Sequence, residues 1–229
     1  MANNQARPET DTINVRRSGC IARRVFDVIT ALLAAALLAP LLVLVAAVIM
    51  LTMGRPVLFR QPRSGRDGRV FQVAKFRTMR AEKFAGESDA ARTPTAGRLL
   101  RAASLDELPQ LWNILRGQMS VIGPRPTLPE QVAMYSSRER GRLTVRPGLT
   151  GWAQINGRNA ISWPERIELD LWYIQHRSLS LDLKILLRTV LAVLCRGGIV
   201  GTGGINPGFP SPRAALGEVL PVATVEADG

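Results

Sequence analysis

One stretch dominates the hydrophobic pattern of this chain. Asp27 and Arg55 bracket an uncharged run, Val28–Gly54, that contains ALLAAALLAPLLVLVAAVIML. Its 27 residues make it a membrane-helix candidate. It begins too late and runs too long for a secretory leader, and no small-residue cleavage site follows it. Pro40 interrupts it near the middle, where a proline removes a backbone donor and kinks or breaks a helix. The arms Val28–Ala39 and Pro40–Gly54 would then be roughly 18 Å and 22 Å long at 1.5 Å per residue. Neither arm alone crosses a hydrocarbon core of about 30 Å. Arg16, Arg17, Arg23 and Arg24 flank one end; Arg55, Arg60, Arg63, Arg66 and Arg69 flank the other. Positive charge on both sides draws both ends to the cytoplasm. The pattern predicts a helix–break–helix that dips into the bilayer and returns; the competing form is one kinked span.

Beyond this segment the period changes. PVLFRQ and VFQVAKFRTM flank the turn-rich SGRDG, which predicts a β-hairpin. Helical spacing resumes near Pro94 and again at Ser104, where Leu108, Leu111, Trp112 and Leu115 recur as one buried face. Residues 117–126 and 144–158 read as Gly/Pro-rich loops. Further helices are expected over 163–177 and 180–196, the last apolar enough to lie in a membrane interface or to pack in the core. The fold class is α/β (α+β) and mostly helical. Its parts are a tail over 1–22, a membrane anchor over 23–54, a catalytic region over 55–200 and a disordered tail over 201–229.

Composition narrows the chemistry. The chain of 229 residues carries 30 Lys and Arg against 18 Asp and Glu, a net charge of +12. Only Lys75, Lys83 and Lys184 are lysines. Arginine suits planar contact with phosphate and carboxylate, although a GC-rich genome produces the same bias. Two cysteines, Cys20 and Cys195, and one histidine, His176, exclude a disulfide framework and a Cys/His zinc site. They also disfavour a His-based nucleophilic triad.

The densest polar cluster is LLRAASLDELPQLWN. Ser104 and Glu107 have the spacing of a capping box, so Asp106 and Glu107 have a purely local reading at a helix start. They also have a chemical one. Adjacent carboxylates at such a terminus can divide the work of nucleophile and Mg²⁺ ligand beside a substrate phosphate. SVIGPRP presents Arg125 on a tight loop, and VRPGLTGWAQINGRN presents Arg146 and Arg158 on kinked backbone. Lys75 and Arg77 share one side of a strand.

In this order, after a Pro-broken apolar segment, KFRTM, SLDELPQLWNILRGQMSVIGPRP and RPGLTGWAQINGR resemble the bacterial sugar transferases. These are monotopic polyprenyl-phosphate phosphoglycosyl transferases, here in their small single-domain form. The resemblance runs from about Arg23 to Arg196. It implies transfer of a sugar-1-phosphate from a UDP-sugar to undecaprenyl phosphate with release of UMP, through a covalent aspartyl-phosphosugar. On this pattern Asp106 is the nucleophile and Glu107 helps hold Mg²⁺. Lys75, Arg101 and Arg125 contact phosphate, and Arg77, Arg146 and Arg158 join the phosphate-binding set. The family breaks its re-entrant helix at Ser-Pro; this chain has Ala39–Pro40. NGRNAISW resembles members that use N-acetylated amino sugars. The implied place is the cytoplasmic face of the bacterial inner membrane. The implied partners are membrane lipid and the two substrates, with room for a homodimer and no nucleic acid. Two other classes compete, a cationic membrane-tethered adaptor and an inactive scaffold; Mg²⁺-dependent UMP release separates both from the enzyme.

Overall fold

The computed structural model describes residues 20–81, 84, 87–157 and 161–194. The expected tail over 201–229, residues 1–19 of the one expected over 1–22, and Arg158 lie outside these residues, while residues 20–22 of that first tail are already helical. Helix α1, Cys20–Met53, takes up the whole apolar run in 34 residues, roughly 51 Å at 1.5 Å per residue. Its Ala- and Leu-rich composition favours helix throughout. The expected two arms are one element, because α1 continues through Pro40. A single interior proline removes one hydrogen bond and permits a bend without ending the helix. Gly54 at φ +72° and Pro56 stop it.

A hairpin follows as expected, β1 (Leu58–Ser64) antiparallel to β2 (Val70–Phe76), with Phe59 opposite Lys75 and Ser64 opposite Val70. Next come α2 (Asp89–Arg92), α3 (Thr95–Ala102), a 3₁₀ helix over Leu105–Gln110, and α4 (Leu111–Leu115). Then follow β3 (Ser120–Ile122), α5 (Pro129–Ala133), a 3₁₀ segment Glu139–Thr144, and β4 (Gly148–Thr150). The described chain ends with α6 (Trp152–Ile155), α7 (Trp163–Gln175) and α8 (Leu179–Leu194).

Three details depart from the sequence pattern. Ser104 sits at φ +56° and its side chain caps nothing, so the expected capping box does not form there. One forms at Ser162 and Glu165, opening α7. The 3₁₀ start shifts the phase of the next helix: Trp112 is 57% exposed while Ile114 is fully buried. The two Gly/Pro-rich loops also hold a short parallel pair, with Ser120 opposite Gly148 and Ile122 opposite Thr150.

α1 touches the remainder of the molecule near both of its ends. Toward its start, Ala31 joins a core with Val73, Ile114, Met119, Tyr173 and Ile185. Buried Asp27 accepts from Ser120 Oγ at 2.7 Å and from the Val121 amide at 2.8 Å. Arg24 donates to the carbonyls of Ile114 and Leu115 at 2.6 and 2.8 Å, satisfying the open end of α4. Arg23 pairs with Asp182 of α8 at 3.1 Å. Toward its finish, Val45 and Ile49 pack with Phe76 and Leu100 in a second cluster. By length and composition Ile21–Met53 could cross a membrane, and only 11% of its most apolar window is buried.

Candidate active site

The site is assembled at the end of β2. Asn113, buried on α4, accepts from the Ala74 amide at 3.1 Å and donates to the Gln72 carbonyl at 2.7 Å. That clamp on both neighbours of Val73 fixes the strand, and Lys75 projects from it toward the 3₁₀ helix. In a 3₁₀ helix successive side chains diverge by about 120°, so Asp106 and Glu107 face different surroundings. Glu107 Oε1 accepts from Lys75 Nζ at 2.7 Å and from Arg125 Nη2 at 2.6 Å. Asp106 instead lines a cavity of about 490 Å³ that also includes Lys75, Arg101, Phe59 and Phe76. Its carboxylate accepts no side-chain hydrogen bond among the described residues. Arg101 is steadied by donating to Thr78 Oγ1 at 2.8 Å. Thr78 in turn requires Gly97, where a Cβ would sit 2.0 Å from the Thr78 carbonyl oxygen.

Arg125 is held from behind. Its carbonyl accepts from Arg142 Nη2 at 3.4 Å. Arg142 is buried with Asp170, at 2.5 and 2.9 Å, and donates to Tyr135 Oη at 2.5 Å. The Gly-Pro-Arg-Pro loop also lies tight against the next one. The Gly148 amide donates to the Pro124 carbonyl at 2.9 Å, and a Cβ on Gly123 would lie 2.5 Å from the Arg146 carbonyl oxygen.

Of the residues expected from the sequence, Lys75, Asp106, Glu107, Arg101 and Arg125 converge. Arg77 borders the same cavity, but its guanidinium is committed to the end of α1. It donates to the carbonyls of Met53, of Gly54 at 2.7 Å and of Arg55 at 2.9 Å. Arg77 is therefore a helix-end clamp. Arg146 donates to the Gly117 carbonyl at 2.9 Å and faces a separate cleft with Arg66 and Arg69. Ala39 and Pro40 belong to the exposed middle of α1. Sequence reasoning overlooked Asn113, Arg142 and Asp170. Asp170 had a signal: Ile167, Asp170, Leu171 and Ile174 follow a core spacing along α7, with an acid in an apolar position.

The two carboxylates titrate in opposite directions. Burial raises the Asp106 carboxyl and the Glu107 charge raises it further, against Lys75, Arg101 and Arg125. Burial also lifts Glu107, but the charges and hydrogen bonds of Arg125 and Lys75 outweigh it and bring Glu107 to about 2. An acid whose folded pKa is depressed contributes stability above its unfolded value, and that contribution disappears as pH falls through the folded value. Glu107 therefore stabilises the fold above about 4.5, and this is lost on acidification toward about 2. Melting temperatures measured down that range are expected to fall less for Glu107→Gln than for the native chain. A parallel fall in both would show that Glu107 is not a stabilising acid.

The model of a family described as bacterial sugar transferase matches residues 18–196. A Bacillus subtilis (strain 168) protein named an uncharacterized sugar transferase, EpsL, is 44% identical over 189 residues, covering 81% of this chain and 94% of its own length. The exopolysaccharide production protein ExoY of Sinorhizobium fredii is 39% identical over 208 residues, covering 82% and 92%. A protein of Caulobacter vibrioides named UDP-glucose:undecaprenyl-phosphate glucose-1-phosphate transferase is 44% identical over 207 residues, covering 82% and 78%.

Proposed function

The chain belongs to the bacterial sugar transferase family, and we propose that it moves a sugar-1-phosphate from a UDP-sugar to undecaprenyl phosphate, releasing UMP. The observation that carries this reading is Asp106. It is an open carboxylate in a cavity lined by Lys75 and Arg101, with Arg125 beside it on Glu107. A carboxylate among fixed cations and a rigid arginine loop suits phosphoryl transfer, which needs positioning and charge neutralisation above all.

In the proposed first half-reaction an Asp106 oxygen attacks the phosphorus that bears the sugar. The bond to the bridging oxygen breaks, that oxygen leaves on UMP, and an acyl phosphate joins sugar and protein. In the second half, an oxygen of undecaprenyl phosphate attacks the same phosphorus and Asp106 leaves as carboxylate. Lys75, Arg101 and Arg125 spread the phosphate charge, and Arg142 holds Arg125 at its post. Among the described residues no three metal-ligating side chains cluster. Mg²⁺ needs only one or two carboxylates beside substrate phosphates, so Asp106 and Glu107 fit it as protein ligands. Such an ion would neutralise the diphosphate. Glucose is the sugar to test first, since it appears in the name of the Caulobacter relative. The resemblance of NGRNAISW to amino-sugar users adds the N-acetylated analogue to the screen. Membrane fractions given undecaprenyl phosphate, Mg²⁺ and a panel of UDP-sugars are expected to release UMP with one donor strongly preferred. No UMP from any donor would reject the reading and restore the adaptor.

The same reading places the protein on one leaflet of the inner membrane, at its cytoplasmic face. The support is that Asp27 near the start of α1 and Ile49 near its end both pack on residues of the catalytic region. A straight span would separate those ends by more than the hydrocarbon thickness. Helix α8 adds to this surface. Ile185 faces the core, while Leu183, Leu187 and Leu191 are exposed on another side, and Asp182 ties α8 to Arg23. Cysteine labelling in a background without Cys20 and Cys195 is expected to find both flanks of α1 on the cytoplasmic side. Periplasmic labelling of the N-terminal flank would establish a span instead.

A further inference from the structure

We infer that, if the transferase reading holds, the Asp106–Glu107 pair accepts its divalent ion only together with a diphosphate. In the ligand-free protein the site is an anion site, with Glu107 acting as the resident counter-ion of Lys75 and Arg125. The geometry is direct. Oε1 of Glu107 already receives both Lys75 Nζ and Arg125 Nη2, at 2.7 and 2.6 Å, and Oε2 receives Arg125 Nη1 at 3.4 Å. A metal binding to this carboxylate would be held against two cations within a few ångströms of it. Among the charges that act on Asp106, its own included, two carboxylates (Asp106, Glu107) face three cations (Lys75, Arg101, Arg125). The local balance is positive before any ligand arrives, which repels a divalent cation and attracts a phosphate.

A diphosphate reverses both conditions. Its oxygens offer Arg125 a bidentate partner and Lys75 a point partner at least as good as Glu107. Once those side chains turn to the ligand, Oε1 is released. The added negative charge then makes the balance negative, and the two acids together with the phosphate oxygens form a place for a hard, oxygen-seeking ion. Glu107 thus exchanges partners: it positions Lys75 and Arg125 in the resting state and becomes a metal ligand only when they are engaged elsewhere. This explains how a glutamate already paired with two cations can still serve the metal.

The test separates order of binding from turnover. The full chain, in detergent or lipid nanodiscs, is titrated with Mn²⁺ alone while the free ion is followed by electron paramagnetic resonance. UDP binding is measured separately by calorimetry, in EDTA and in Mg²⁺. The expected result is no saturable Mn²⁺ binding below millimolar concentrations without nucleotide, measurable UDP binding in EDTA, and tighter UDP binding in Mg²⁺, by the factor that UDP in turn raises the metal's affinity. Glu107→Gln is expected to bind UDP in EDTA as tightly as the native chain or more tightly, because it frees Lys75 and Arg125 of their counter-ion. Stoichiometric micromolar Mn²⁺ binding to the ligand-free chain, or UDP binding abolished by EDTA, overturns the inference while leaving the transferase reading intact. UDP bound in neither condition, together with no UMP release from any UDP-sugar, overturns the transferase reading itself.

Discussion

Asp106→Asn is expected to lower turnover by about 10³-fold or more, the scale seen when a nucleophile is removed, while leaving the protein at least as stable as before. The two halves of this expectation come from different physics. Asparagine keeps the size and shape of the side chain but cannot expel UMP to form an acyl phosphate. In the native chain, a UDP-sugar with Mg²⁺ and no lipid acceptor should release one equivalent of UMP and add the mass of a phosphosugar to the protein. In the variant both the burst and the adduct should vanish. The stability half follows from the raised pKa of Asp106, which burial and the neighbouring Glu107 produce. A carboxylate whose folded pKa lies above its unfolded one costs the fold free energy wherever it is ionised. Removing the charge at neutral pH therefore relieves the site, and the melting temperature should hold or rise. Turnover within tenfold of native, or an adduct that persists in the variant, would assign attack to the lipid phosphate and reduce Asp106 to a metal ligand.

What could be read from the chain and what could not divides along physical lines. The apolar run, the hairpin around SGRDG and the two last helices are long or strongly periodic, and each appears close to its expected bounds. The carboxylate pair and Arg125, which the fold brings together, stood out because tight turns and paired charges mark their short stretches of sequence. The errors arose where backbone detail overrides period. A left-handed Ser104 and a 3₁₀ turn replaced a capped α-helix, so the phase that put Trp112 in the core was wrong. The strands β3 and β4 span three residues each, too few for alternation to register. Arg77 shows a different limit. Its position just past β2, two residues from Lys75, suggested phosphate, but the carbonyls left open at the end of α1 are nearer partners, and no local pattern reveals a helix end 24 residues away. Arg142 and Asp170 lie 28 residues apart, and only the fold brings them together.

That buried pair is where the largest stability effect is expected. Asp170→Asn should lower stability by about 3–5 kcal/mol, the range for stranding one charge of a buried pair. The Arg142 and Asp170 side chains are 2% and 1% exposed, so water cannot replace the lost partner. Arg142 also packs its guanidinium over the rings of Tyr135 and Trp163, 5.8 and 5.5 Å from their centroids, which gives it little room to swing out to solvent. Asn adds a second problem. Asp170 Oδ1 has no hydrogen-bond partner among the described residues, and an amide NH₂ placed there would be an unsatisfied buried donor. The damage should also reach the site, since Arg142 is the side chain that grips the Arg125 carbonyl. Denaturant unfolding would measure the first effect, and the affinity for UDP relative to the unfolding midpoint the second. The double variant Arg142→Met, Asp170→Leu discriminates between a structural pair and a local charge requirement. Removing both charges together avoids an uncompensated ion and should recover much of the lost stability. UDP affinity should nevertheless stay weakened, because the Arg125 carbonyl then loses the Arg142 donor that holds it. A double variant with native UDP affinity would show that the loop holds Arg125 in place without Arg142.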